Sequence, residues 1–286
     1  YPFASEVNLI TVSLSLNFDL LGLDSSCITI NGLGSATAPN SVALLPVTGG
    51  NSGDTLFTDG NTAGYGSFGN GSLKLFISPA SNMVHQTTYA FSFKLTNPAT
   101  DQNSPILNVS LTGTVGVKPS DMTTPNNLVL GVLNGSNPLR VVVPTFTVKI
   151  MNQTEPAVNM ANVLTMVLEV NFDMLGSIVD FPNGYLVSRN RSRIFIYGIA
   201  GVSLPLSVQL VDFGGSGVNV MFSNSTIAGW GLWTQTDSSL TLDLVDGSAL
   251  RNGLPYYFSI RVQNPALPQS APSISISATG TATVTG

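Results

Sequence analysis

Polar and apolar residues alternate one for one from Ile10 to Leu20. Ile10, Val12, Leu14, Leu16, Phe18 and Leu20 fall on one side, and Thr11, Ser13, Ser15, Asn17 and Asp19 on the other. A period of two predicts a half-buried strand. The pattern returns with Leu164, Met166, Leu168, Val170, Phe172 and Met174 inward, and an Asn-Phe-Asp is kept at residues 171–173. Further on, Leu73 and Leu75 (Leu240 and Leu242 in the second copy) carry the inner face of one strand. Tyr89, Phe91, Phe93 and Leu95 (Tyr256, Phe258, Ile260 and Val262) carry another. The last strand is expected to bury Leu107, Val109 and Leu111 in one copy and Ile274, Ile276 and Ala278 in the other.

These matches belong to a duplication. SFKLTNPATDQNSPILNVSLTGT at Ser92–Thr114 returns as SIRVQNPALPQSAPSISISATGT at Ser259–Thr281. Asn17 aligns with Asn171, an offset of 154, whereas Cys27 aligns with Arg193, an offset of 166; an insertion of 12 residues (166 minus 154) therefore falls between Ser177 and Ser192. No stretch has helical apolar spacing. Short alternating strands separated by Gly, Pro, Asn and Ser turns predict an all-β chain of two tandem immunoglobulin-like antiparallel β-sandwich domains, with a barrel as the structural alternative. The expected division is a first repeat over 1–117, a Pro-containing connector over 118–140 and a second repeat over 141–286. TFTVKIM at Thr145–Met151 precedes the second repeat without a counterpart in the first. The first repeat is accordingly expected to lack its first strand, which a preceding repeat or another subunit would supply by strand addition.

Composition narrows the class. Only 9% of the 286 residues are charged, 43% are hydrophobic, and mean hydropathy is +0.30, yet no apolar run reaches the length of a membrane span, so no membrane insertion is expected. A net charge of −5 with no basic cluster beyond Arg189, Arg191 and Arg193 excludes a nucleic-acid partner. So uncharged a surface calls for solvation by Ser, Thr and Asn, by glycans, or for cover by neighbouring molecules. The single cysteine, Cys27, reads as a buried thiol, with an interchain bridge as the alternative.

Candidate chemistry is sparse. Gly64–Gly69 reads G-Y-G-S-F-G, but a strand follows it where a nucleotide fingerprint needs a helix. His85 is the only histidine and has no serine elbow near it in sequence, so no catalytic residue is assigned and the chain is read as a non-enzyme. One His and one Cys make no transition-metal set; Asp19, Asp173, Asp54 and Asp59 leave an oxygen-ligated Ca²⁺ conceivable but without the D-x-D-x-D spacing that would support it, and no cofactor or metal is expected. Tyr65, Phe68, Trp230 and Trp233 recur at equivalent places and are read either as core plugs or as a ligand-stacking platform for sugars. Asn70, Asn108, Asn134, Asn152, Asn190 and Asn224 are N-x-Ser/Thr acceptors, so N-linked glycans are expected.

Asn-Phe-Asp after an alternating strand, aromatic-Gly-x-aromatic leading into Ser-Leu-x-Leu, Asn-Pro-Ala with Gln and Pro before Thr-Gly-Thr, and NGSNPLRVVVPTFTVKI from Asn134 together resemble the tandem β-sandwich repeats of large extracellular surface proteins of unicellular algae and other protists. The resemblance implies extracellular repeats in fibres, appendages or coats and transfers no catalytic residue. The expected function is a structural repeat of an extracellular filament or surface coat that assembles with copies of itself or neighbouring repeats. A glycan-binding or cell-adhesion module is the alternative, and a viral coat protein a third.

Overall fold

The computed structural model describes residues 1–48, 51–177, 191–215 and 217–285. The expected 12-residue insertion and Asn190 lie largely or wholly outside these. The described residues are almost entirely strand and turn, with two short 3-10 helices at Gly22–Asp24 and Val218–Met221. The chain divides into two compact units, Tyr1–Val129 with Leu133–Val143, and Leu130–Val132 with Pro144–Gly286. Both are immunoglobulin-like antiparallel β-sandwiches.

In unit 1 the strands are β1 (Val7–Leu14), β2 (Cys27–Asn31), β3 (Ser41–Ala43), β4 (Leu45–Pro46), β5 (Tyr65–Gly69), β6 (Ser72–Ile77), β7 (Tyr89–Thr96), β8 (Asn108–Thr112) and β9 (Val117–Asp121). One sheet runs β1-β7-β4, and the other β9-β8-β2-β6-β5-β3. Alternation puts Ile10 and Val12 of the first sheet and Ile28, Ile30, Leu73 and Leu75 of the second into one core with Phe91, Phe93 and Leu139. In unit 2 the strands are β10 (Phe146–Gln153), β11 (Ala161–Val170), β12 (Arg193–Tyr197), β13 (Ser207–Asp212), β14 (Trp230–Thr234), β15 (Ser239–Leu244), β16 (Tyr256–Gln263) and β17 (Ser275–Thr279). They form the path β10-β11-β16-β13-β14-β15-β12-β17. Here β13 is one strand that pairs with both sheets, the role that β3 and β4 share in unit 1.

Three expectations need correction. Residues 118–140, expected as a Pro-containing connector between the repeats, lie within the two units: Val117–Asp121 pairs with β8, Leu139 is fully buried in the unit 1 core, and Leu130–Val132 belongs to unit 2. Pro119 suggested a linker, but an edge strand tolerates proline because one side of its backbone needs no partner. The alternating run Ile10–Leu20 stops being one strand at Leu14 and resumes only at Leu20–Leu21. Ile274 is exposed, because β17 begins after it; Ile276 and Ala278 are buried as expected.

Candidate functional site

The only histidine sits in a motif whose meaning the duplication reveals. Asp19 Oδ1 accepts from the His85 backbone N–H and meets the ring Nδ1, both at 2.7 Å, on an exposed surface. The backbone bond, and then the ring, holds the Asp19 carboxyl below its ordinary value. Asp173 makes the matching backbone contact in unit 2, accepting from the backbone N–H of Asn252 at 2.9 Å while its other oxygen takes Arg251 Nη1 at 2.6 Å. Beside each carboxylate a tyrosine hydroxyl accepts a backbone N–H, Tyr89 from Val84 and Tyr256 from Arg251. The Asn-Phe-Asp aspartate thus latches the turn that leads into β7 or β16. In unit 1 its partner happens to be a histidine.

A second repeated network explains Asn-Pro-Ala. Asn8 Nδ2 donates to Asn97 Oδ1, and Asn97 Nδ2 donates to the carbonyls of Tyr1 and Phe3. Asn162, Asn264, Glu155 and Ala157 repeat every one of these bonds. Asn8, Asn97 and Asn162 are buried, and the amides satisfy one another.

The aromatic-Gly-x-aromatic stretches are strands. Phe68 and Trp233 point into the cores, with Trp233 Nε1 donating to Gln235 Oε1 at 2.9 Å, so they do not share one face with Tyr65 and Trp230. Tyr65 is exposed and Trp230 half-buried on the opposite face. Gly66 and Gly231 are fixed by packing: a Cβ there would lie 2.8 and 2.9 Å from Leu73 and Leu75, or 2.7 and 2.9 Å from Leu240 and Leu242. That accounts for the G-x-G-x-x-G match without a nucleotide. A shallow groove over Trp233, lined by Leu204, Leu206 and Thr234–Thr236, contains no ionisable group.

The other candidate carboxylates have local partners. Asp59 accepts from the Ser41 hydroxyl at 2.5 Å and from the N–H groups of Thr62 and Asn61, which lowers its carboxyl in that order. Asn224 occupies the same turn in unit 2, accepting from Thr226 and Ile227 and donating to Ser207. Its amide, one of the glycan acceptors, therefore also caps a turn. Asp54 accepts from Ser52. No group of three His, Cys, Asp or Glu residues suited to a metal occurs among the described residues. Of the other acceptors, Asn70 and Asn152 are exposed, while Asn108 and Asn134 are half-buried. Cys27 is a free, buried thiol.

One surface feature was not singled out from the sequence. On the outer face of unit 2, Ile150 of β10 pairs with Val167 of β11, which pairs with Tyr257 of β16. The Tyr257 ring stacks with Phe213, just past β13, at a centroid distance of 6.1 Å. Ile150 is 48% exposed, Tyr257 37% and Phe213 52%. The corresponding pair in unit 1 is Ser13 and Ala90. Period-two parity alone places Ile150, Val167 and Tyr257 outward; only the cross-strand register puts them in a row.

No family model and no curated protein matches the chain. Among solved structures, the MSCRAMM ACE of Enterococcus faecalis, described as binding its ligands by the collagen Hug model, matches at 11% identity over 99% of this chain and 86% of that one, with a TM-score of 0.25. The serine-rich repeat adhesion glycoprotein Srr1 of Streptococcus agalactiae matches at 9% identity over 96% and 84%, with a TM-score of 0.21. A membrane-anchored protein of Corynebacterium diphtheriae matches at 10% identity, 99% and 86% coverage and a TM-score of 0.23. Similarity this distant carries no argument about this chain, and none of the three supports an algal or protist source. No helix among the described residues is long and apolar enough to cross a membrane.

Proposed function

We propose that the chain is a non-catalytic, extracellular module of a cell-surface protein whose work is adhesion, through the outer face of the β10-β11-β16-β13 sheet. The observation that carries this reading is the apolar row Ile150-Val167-Tyr257-Phe213, exposed at Ile150, Tyr257 and Phe213 around the buried Val167, and set where unit 1 has serine and alanine. A sheet face turned to water favours polar side chains, and a contiguous apolar row on it favours a partner. The partner class is a glycan. Tyr257 and Phe213 offer adjacent ring faces for the apolar face of a sugar, and the half-buried Thr165 and exposed Arg261 share their parity as polar neighbours. The exposed acceptors Asn70 and Asn152 fit passage through a secretory pathway.

The test is a glycan array probed with the chain and with Phe213→Ser and Tyr257→Ser. Retention of the parent, and its loss by about tenfold or more in both variants at unchanged melting temperature, is expected. Retention that both serine variants keep would sink the assignment of this face.

A second reading, a structural repeat of a filament or coat built from copies of such units, is favoured by the duplicated Asn8–Asn97 and Asn162–Asn264 networks. They hold the entry segment of each unit in one geometry, as an array requires. Electron microscopy separates the two, since a regular polymer of end-to-end units supports the array and isolated molecules retained on glycans support adhesion.

A further inference from the structure

The acceptor asparagines are alike in sequence, and the fold separates them. Asn190 lies outside the described residues. Asn224 donates its amide to Ser207 and accepts from Thr226 and Ile227. Asn108 Oδ1 accepts from Asn31 Nδ2 at 3.1 Å, and Asn134 is half-buried in a turn. Asn70 and Asn152 are exposed, and neither side-chain amide has a hydrogen-bond partner among the described residues. Of these two, Asn70 sits at the tip of the β5–β6 hairpin, beyond its last pair, Gly69 with Ser72.

Asn152 instead lies on a sheet face. It stands opposite Thr165, and Ile150, two residues earlier on the same face, stands opposite Val167. Val167 in turn is opposite Tyr257, whose ring stacks with Phe213. From Asn152 to Tyr257 is therefore about 7 Å along the strand and about 10 Å across it, two residues and two strand spacings. An asparagine side chain carrying two pyranose rings in series spans that diagonal, and its path crosses Ile150 and Val167. The apolar row thus begins beside a free amide in the acceptor Asn152-Gln153-Thr154. A pyranose presents a face of C–H bonds, which packs on aromatic and aliphatic surface and withdraws it from water.

We propose that Asn152 carries an N-linked glycan whose first sugars lie on the Ile150-Val167-Tyr257-Phe213 row, so that the chain's own modification masks this face. The transfer is a substitution at the anomeric carbon of a lipid-pyrophosphate-linked oligosaccharide. The Asn152 amide nitrogen forms the new N–C bond, the C–O bond to the pyrophosphate breaks, the lipid pyrophosphate leaves, and one amide proton passes to a base. Transfer precedes folding, since in the fold the Thr154 hydroxyl of the acceptor is held by Asn162 Oδ1 at 3.2 Å and by Val163 N–H at 3.1 Å. Strand β10 then pairs with β11 with the glycan on the outer side. The masking rests on the reading of this face as adhesive; the packing of the glycan on the row does not.

The test uses the full chain secreted from a eukaryotic host fed isotope-labelled sugars, with the chain made in bacteria as the glycan-free reference. Peptide mass spectrometry is expected to find Asn152 occupied. In the intact protein, sugar C–H resonances are expected upfield, displaced by the ring currents of Tyr257 and Phe213. Those shifts should vanish in Asn152→Gln, Tyr257→Ser and Phe213→Ser and persist in Asn70→Gln. On a glycan array, secreted Asn152→Gln should be retained like the bacterial chain and about tenfold more strongly than the secreted parent, the factor for a row left free about a tenth of the time. Asn70→Gln should match the secreted parent, and trimming the folded parent with an endoglycosidase should give a gain without any substitution. An unoccupied Asn152, or an occupied one whose sugars show no ring-current shift, would overturn the proposal. Shifts accompanied by equal retention of the secreted parent and Asn152→Gln would overturn the mask. Retention of no form, the bacterial chain included, would sink the adhesive reading instead, and the shifts alone then decide the packing.

Discussion

The two units are the same fold solved twice, and where they agree differs in kind from where they disagree. They agree at buried polar latches, with Asn8–Asn97 matching Asn162–Asn264 and Asp19 and Asp173 capping the same turn. They also agree at Gly66 and Gly231, each pressed onto two leucines. They disagree at the outer face, where Ser13 and Ala90 in one stand for Val167 and Tyr257 in the other, and at one cross-strand pair. That pair is Cys27–Phe76 in unit 1 and Arg193–Asp243 in unit 2. Buried amides and carboxylates are costly to leave unpaired, so the networks that satisfy them must be kept whole. Outer faces carry no such constraint and can diverge toward partners.

The sharpest way to test the shared part is Trp233→Ala against Phe68→Ala. Both side chains are buried, Trp233 at 1% exposure. Each truncation should cost about 3–5 kcal/mol, with tryptophan at the upper end because it leaves the larger void. Chemical denaturation read by amide exchange in β15 and β6 checks this. A loss under about 1 kcal/mol in either would mean the ring is a surface plug.

That the paired aromatics could be taken for one platform shows what the sequence does and does not carry. Alternation made the strands and the duplication legible, because a one-sided face imposes period two on every copy. The same rule held the answer for the aromatics: Tyr65 and Phe68 lie three residues apart and must point to opposite faces, as must Trp230 and Trp233. What alternation cannot carry is the partner across the ladder. The Asp19–His85 cap, the Ile150-Val167-Tyr257 row and the docking of Leu139 each join residues far apart in the chain. The β9 segment was hidden for another reason, since V-K-P-S-D has the composition of a linker and owes its strand to pairing with β8.

The divergent pair gives the next effect in size. Burial works against charging Asp243, but Arg193, Ser225 and the nearby Arg191 outweigh it and hold its carboxyl below the ordinary value, while Asp243 holds the Arg193 guanidinium above its own. Asp243→Ala should cost unit 2 about 2 kcal/mol at neutral pH, less than a fully buried pair because Arg193 stays half exposed and can hydrate. The sign with pH follows. A carboxyl depressed in the fold contributes fully above its unfolded value of about 3.9, and that contribution disappears as pH falls through the folded value. The gap between parent and variant should therefore close in acid; a gap that stays constant from neutral to pH about 2 would show that the loss is packing, not charge.

Smaller still, Gly66→Ala and Gly231→Ala should each cost about 1–2 kcal/mol, since the added methyl meets leucine side-chain ends that can give only partly in a filled core. The two losses should agree within about 0.5 kcal/mol, because the leucine pairs beneath are placed alike. Unequal losses in thermal melts would break the equivalence of the two cores at this point.

The smallest expected effect is the most informative about divergence. Arg193 and Asp243 sit in the cross-strand register that Cys27 and Phe76 occupy in unit 1, so the double replacement Arg193→Cys with Asp243→Phe carries the apolar pair onto the same backbone. Exchanging a partly buried ion pair for apolar residues is commonly neutral or stabilising, whereas removing one partner strands the other. The double variant should therefore lie within about 1 kcal/mol of the parent, while Arg193→Cys alone leaves the buried Asp243 with Ser225 and costs more. A thermodynamic cycle over the four proteins measures the difference as a coupling. A coupling near zero would mean that charge at this site has no energetic link across the ladder, and that its presence in one unit and absence in the other is not a matter of stability.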